Sequence, residues 1–102
     1  MSGAEKQMVT IDEVMVIRDS FRNKPAVIEE NGQTLHATVN SLQRKSGVEF
    51  TISCTRFRER LDDGKMPRRT RWFNEDTCEI FREGDVYVFF EPRHKITISG
   101  VQ

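Results

Sequence analysis

Val48-Glu49-Phe50-Thr51-Ile52-Ser53-Cys54-Thr55 alternates apolar and polar residues without a break. A strand repeats every two residues, so this pattern puts Val48, Phe50, Ile52 and Cys54 on one face and Glu49, Thr51, Ser53 and Thr55 on the other. One dry face and one wet face is the signature of a half-buried antiparallel strand. The alternation stops at Arg56-Phe57, where a bulge that swaps the faces, or departure from the core, is expected.

The flanking sequence supplies partners for that strand. Upstream, Asn31-Gly32 gives the positive φ that both central positions of a type I′ turn require, and so joins Ala26–Glu30 to Gln33–Val39 as a hairpin. In that register Ile28 faces Leu35, Ala26 faces Ala37 and Val27 faces His36, with Ile28, Leu35, Ala37 and Val39 on the buried side. Downstream, Asp63-Gly64 is a second turn signal, returning the chain through Met66 to Phe73 with Pro67 at an edge or bulge. A third hairpin runs from Cys78–Phe81 through Glu83-Gly84 into Val86–Phe90. Val86-Tyr87-Val88-Phe89-Phe90 is apolar at every position and reads as the most buried strand. Lys95–Ser99 follows, with Ile96 and Ile98 packing near Phe89 and Tyr87.

Ahead of the strands stands a helix. Thr10 and Glu13 have the spacing of a capping box, and Val9 and Val14 that of a hydrophobic staple. Ile11, Val14, Met15, Ile17 and Phe21 then share one face, which predicts a helix from about Ile11 to Arg22, ending before Pro25. A strand through Val14–Ile17 is the competing reading. The fold class expected is α+β, mainly β: an antiparallel meander or partly closed barrel of six or seven strands with one N-terminal helix packed on it. Residues 1–102 form a single domain, in which 1–8 is a flexible tail and 56–71 a basic hairpin arm.

Hydrophobic residues are 36% of the chain and charged residues 31%, so the core is thin and a partner subunit is one way to complete it. Sixteen basic residues balance sixteen acidic ones, and total charge therefore points to no partner. Distribution does. Arg56 to Arg71 holds seven basic residues against Glu59, Asp62 and Asp63, a net +4; Glu75 to Glu91 holds six acidic residues against Arg82, a net −5. The N-terminal segment has no apolar run of signal-peptide length, which leads to the expectation of a cytoplasmic protein with Cys54 and Cys78 both reduced.

Motifs for catalysis do not emerge. His36 and His94 have no Cys, Asp or Glu at ligand spacing, the two cysteines are far apart, and no phosphate-binding or nucleophile-elbow pattern occurs. The expectation is a non-enzyme with no cofactor, no metal, no catalytic residues and no membrane association. The chemistry present is arginine. Arg56, Arg58, Arg60, Lys65, Arg68, Arg69, Arg71 and the adjacent Trp72 form a candidate partner- or polyanion-binding set, because guanidinium forks onto carboxylates and phosphates and stacks on flat rings. Three functions compete. The first is a protein-interaction module, self-associating as the arm of one copy meets the acidic Glu75–Glu91 surface of another. The second is a nucleic-acid or polyanion binder using the same arm. The third is a small-ligand binder with an apolar cavity between sheet and helix, walled by Phe50, Trp72, Tyr87 and Phe89. Arginines that only pair across exposed strands are the plain alternative to all three.

Overall fold

The computed structural model describes residues 6–56 and 68–101. Among these, eight strands form one antiparallel sheet that curls into a half-barrel, with a short N-terminal helix and a 3-10 turn. In chain order the elements are β1 (Gln7–Met8), α1 (Ile11–Val16), the 3-10 turn (Arg18–Phe21), β2 (Pro25–Glu30), β3 (Gln33–Arg44), β4 (Glu49–Arg56), β5 (Arg68–Asn74), β6 (Glu79–Glu83), β7 (Val86–Phe90) and β8 (His94–Ile98). The spatial order is β1-β6-β7-β8-β2-β3-β4-β5. Two meanders, β2 to β5 and β6 to β8, are therefore joined by β8 pairing back onto β2, β1 adds to the outer side of β6, and the sheet stays open between its edge strands β5 and β1. The expectation of six or seven strands is corrected to eight. The additional one is β1, which falls in the stretch read as a tail: Met8 pairs with Phe81, and the following Val9 N–H donates to the Ile80 carbonyl at 2.9 Å.

The first hairpin forms as its turn chemistry requires. Asn31 (φ 52°) and Gly32 (φ 73°) both occupy the left-handed region, and the register is Ile28↔Leu35, Ala26↔Ala37 and Val27↔His36. In β4 the apolar face is dry, with Phe50, Ile52 and Cys54 fully buried. Its polar face is drier than alternation suggests. Thr51 and Ser53 are buried too, lying between register partners Gln43 and Trp72, and Ser41 and Thr70. The Ser53 and Thr70 hydroxyls bond at 2.9 Å, which satisfies them there. A bulge is present in β3, between Val39 and Ser41, while the irregularity expected at Arg56-Phe57 reaches beyond the described residues. Asn40 takes the extra position and donates its side-chain N–H to the Thr55 hydroxyl at 2.6 Å, while Val39 exchanges backbone bonds with Asn23 and Lys24. Phe57 and the Asp63-Gly64 turn lie outside the described residues.

The capping box is formed. The Thr10 hydroxyl accepts from the Glu13 N–H at 3.2 Å, and the Glu13 carboxylate accepts from the Thr10 N–H. The helix is shorter than expected: α1 ends at Val16 and rewinds into the 3-10 turn before Phe21. Val14, Val16 and Ile17 are β-branched and sustain a helix poorly. The tighter turn also delivers Phe21 into the barrel, with its ring edge-on to Tyr87 at 5.0 Å.

That ring belongs to an aromatic cluster that fills the concave side. Phe89 sits among Phe21, Phe50 and Phe73 with ring centroids at 6.0, 6.0 and 6.1 Å, and Phe50 stacks on Phe73 at 5.2 Å. Ile96 and Ile98 pack beside it, in register with Phe89 and Tyr87. Only one face of β7 is covered. Tyr87 and Phe89 are buried, while Val86 and Val88 on the convex side are half-buried and Phe90 is 43% exposed. The reading of this strand as buried on both faces is corrected accordingly.

Candidate interaction site

The basic arm divides into three parts. Arg58, Arg60 and Lys65 lie outside the described residues. Arg56, Arg68 and Arg69 are strand residues, with Arg56 paired to Ala37, Arg68 to Thr55 and Arg69 to Cys54. Arg71 and Trp72 are consecutive residues on opposite faces of β5, and they do opposite things.

Arg71 lies two positions from Phe73 and so shares its concave face. There it meets Glu30 of β2 in a bidentate pair, Nε to Oε1 at 2.8 Å and Nη2 to Oε2 at 2.8 Å. Their side chains are only 14% and 22% exposed. In a flat sheet, β2 and β5 would be about 14 Å apart, three strand spacings. The contact exists because the sheet curls, and it ties the β5 edge across the mouth of the half-barrel. Fork geometry suits arginine here in a way lysine does not reproduce.

A second tie lies beside the first. Glu91, between β7 and β8, accepts the Asn74 N–H at 2.9 Å and the Thr77 hydroxyl at 2.9 Å, which holds the Glu75–Cys78 link against that turn. His94 rests edge-on against Phe73 at 4.6 Å, with its Nε2 buried 3.7 Å from Glu91 and without a hydrogen-bond partner. Arg44 adds a surface tie, reaching both Asp12 of α1 and Glu75. Exposed pairs of that kind contribute little singly.

Trp72 faces the other way, in register with Thr51, and is 52% exposed. It borders a groove of about 590 Å³ between β5 and the β7–β8 turn, which Arg93 and His94 also line. The four residues expected to wall one apolar cavity are thus not brought together. Phe50, Tyr87 and Phe89 pack into the core, and Trp72 stands on the outside.

The acidic segment divides as well. Glu75 and Glu91 are used internally, as described. Asp76, Glu79, Glu83 and Asp85 are exposed, and none forms an ion pair with another described residue. Sequence reading missed two features: the Arg71–Glu30 tie and the uncovered convex face of β7. Counting by twos from Phe73 places Arg71 on the concave side, so the first was within reach.

Both cysteines are free thiols. Burial pushes Cys54 up to about 11, against the opposing pull of Arg71. Burial and then the neighbouring Glu91 carboxylate push Cys78 up to about 12. The thiolate is the reactive form, so at pH 8 neither thiol of the native protein is expected to react appreciably with a disulfide reagent, and both are expected to react in urea. Rapid native labelling of either would contradict this burial. Among the described residues no cluster of three or more His, Cys, Asp or Glu is placed to hold a metal ion, and no helix is long and apolar enough to cross a membrane.

Compared with family models, with curated proteins and with solved structures, neither the sequence nor the fold finds a match.

Proposed function

We propose that this chain is a small non-catalytic interaction module that self-associates, with the basic β4–β5 ribbon and the acidic β6–β7 side as its charged surfaces. The observation that carries the reading is the set of exposed acids, Asp76, Glu79, Glu83 and Asp85, left without an ion pair among the described residues while the neighbouring ribbon is strongly basic. Charge arranged in this way steers and orders association more than it strengthens it. Anchored by Arg71 and Glu30, the ribbon root is a rigid base for such a surface. A reducing, cytoplasmic setting suits the free thiols.

Replacing Arg58, Arg60, Arg68 and Arg69 together by Ser tests the role of the arm. The inward apolar side chains of β4 end at Cys54 and those of β5 resume at Phe73, so the melting temperature is expected to stay nearly unchanged. Self-association measured by light scattering is expected to weaken and to lose its salt dependence. An unfolded variant, or one that associates as the wild type does, overturns the role of the arm. A second reading, nucleic-acid binding, is favoured by Trp72, which offers an exposed ring on the strand that also carries Arg68 and Arg69. In that case the variant loses affinity for single-stranded nucleic acid, and the slope of log K against log salt flattens.

A further inference from the structure

We propose that a second copy of this chain docks on the convex face of β6, β7 and β8, related by a two-fold axis running along β7. The inference rests on the self-association reading and names the surface on which association is centred. Three consecutive positions on the convex side of β7, Val86, Val88 and Phe90, are apolar and incompletely covered. Phe81 lies in register beside Val88, and Met8, 64% exposed, lies beside Phe81. Val86, Val88, Phe90 and Phe81 line a shallow dish of about 390 Å³, with Thr97 on its β8 side and the Lys6 ammonium resting 3.9 Å over the Phe81 ring at its margin. A continuous apolar patch on a sheet face, rimmed by charge, is the usual mark of a docking surface.

The charges at the rim select the occupant. Glu79, Phe90 and Lys95 form one row across the sheet, with Glu79 paired to Phe90 and Phe90 to Lys95. The acid is therefore one strand to one side of β7 and the base one strand to the other, each about 4.8 Å away. A two-fold axis parallel to β7 and lying in the interface exchanges the two sides. It sets Glu79 of one copy against Lys95 of the other, twice, around a central spine of Phe90, Val88 and Val86; Lys95, which within one copy is 3.6 Å from Glu29 of β2 in an exposed pair, then lies between two carboxylates. Turning the axis across the strands instead sets Glu79 against Glu83, which lies at the far end of β6, and like charges then oppose. Of the two simple symmetric arrangements, only the first is complementary to itself.

The size of the patch sets the strength. Three strands by five residues give a footprint of about 240 Å² in projection, well below the standard size for a specific interface, so the pairing is weak and reversible.

Sedimentation equilibrium up to about 500 µM, where micromolar and weaker dimers both register, tests the proposal on four proteins: wild type, Val88→Lys, Glu79→Lys and the charge exchange Glu79→Lys/Lys95→Glu/Glu29→Gln, in which the last change removes the carboxylate that pairs with Lys95 within one copy. Val88→Lys is expected to abolish dimerisation with the circular-dichroism melt little changed. Glu79→Lys is expected to weaken the dimer about tenfold, and the charge exchange to restore most of the loss, since it rebuilds both intermolecular pairs in reverse. If Val88→Lys does not fold, the charge exchange decides alone: restoration supports the two-fold, and additive loss overturns it. A wild type that dimerises equally well with Val88→Lys in place overturns this interface and leaves self-association through the ribbon standing. A wild type that stays monomeric throughout overturns both, and leaves the convex face to a different kind of partner.

Discussion

Phe89→Ala is expected to destabilise the protein by about 3–5 kcal/mol, the range for truncating a fully buried aromatic ring. Phe89 is fully buried and, among the described residues, is the one phenylalanine within about 6 Å of three other phenylalanines, Phe21, Phe50 and Phe73, which come from the 3-10 turn, β4 and β5. Its removal leaves a cavity bordered by elements that no single shift can close, because they belong to different parts of the curl. A domain of this size has about 5–15 kcal/mol of total stability, so the variant should stand near the edge of folding. Urea denaturation followed by far-ultraviolet circular dichroism measures the loss. A cost below about 1 kcal/mol is the surface-like value and would show that the aromatic cluster is not the centre of the core.

The second large effect is expected at the mouth of the half-barrel. Arg71→Met removes the partner of Glu30 and leaves a carboxylate facing the concave side with little access to water. Breaking a buried pair costs about 3–5 kcal/mol; here some solvent reaches both groups, so about 2–3 kcal/mol is expected. Arg71→Met/Glu30→Leu should recover to within about 1 kcal/mol of the wild type, because most of the cost comes from the charge left behind and not from the lost attraction. Hydrogen exchange should show the β5 amides opening first in the single variant, since Arg71 ties that edge strand to β2. Single and double variants with equal losses would mean that packing of the long arginine stem, and not the charge pair, holds the edge.

The parts of this fold that are legible in the sequence are those set by local chemistry. Asn31-Gly32 dictates its turn and, through the turn, the register of Ile28 and Leu35. Thr10 and Glu13 dictate a helix start at Ile11. Alternation along Phe50, Ile52 and Cys54 dictates a buried face. What stays hidden depends on distant segments meeting. No local signal says that β8 returns to β2, or that Gln7 and Met8 find the edge of β6. Nothing in the helix pattern records that Phe21 must reach Phe89, and this is the demand that cuts α1 short at Val16. Charge density points to the candidate site, and charge density carries no face. It groups Arg71 with Trp72 because they are neighbours in sequence, yet a strand sends neighbours to opposite sides. The same limit applies to Val86–Phe90. A fully apolar strand fits both a doubly buried position and one whose second face awaits a partner, and only the surrounding layers tell them apart.

Self-association is the central claim, and sedimentation velocity of the unmodified chain over a concentration series, at low and at high salt, tests it most directly. The expected result is a weight-average mass that rises from one chain toward two with concentration. The midpoint should move to higher concentration as salt screens the charged surfaces. A single species at the mass of one chain, at every concentration and in both salts, would contradict it.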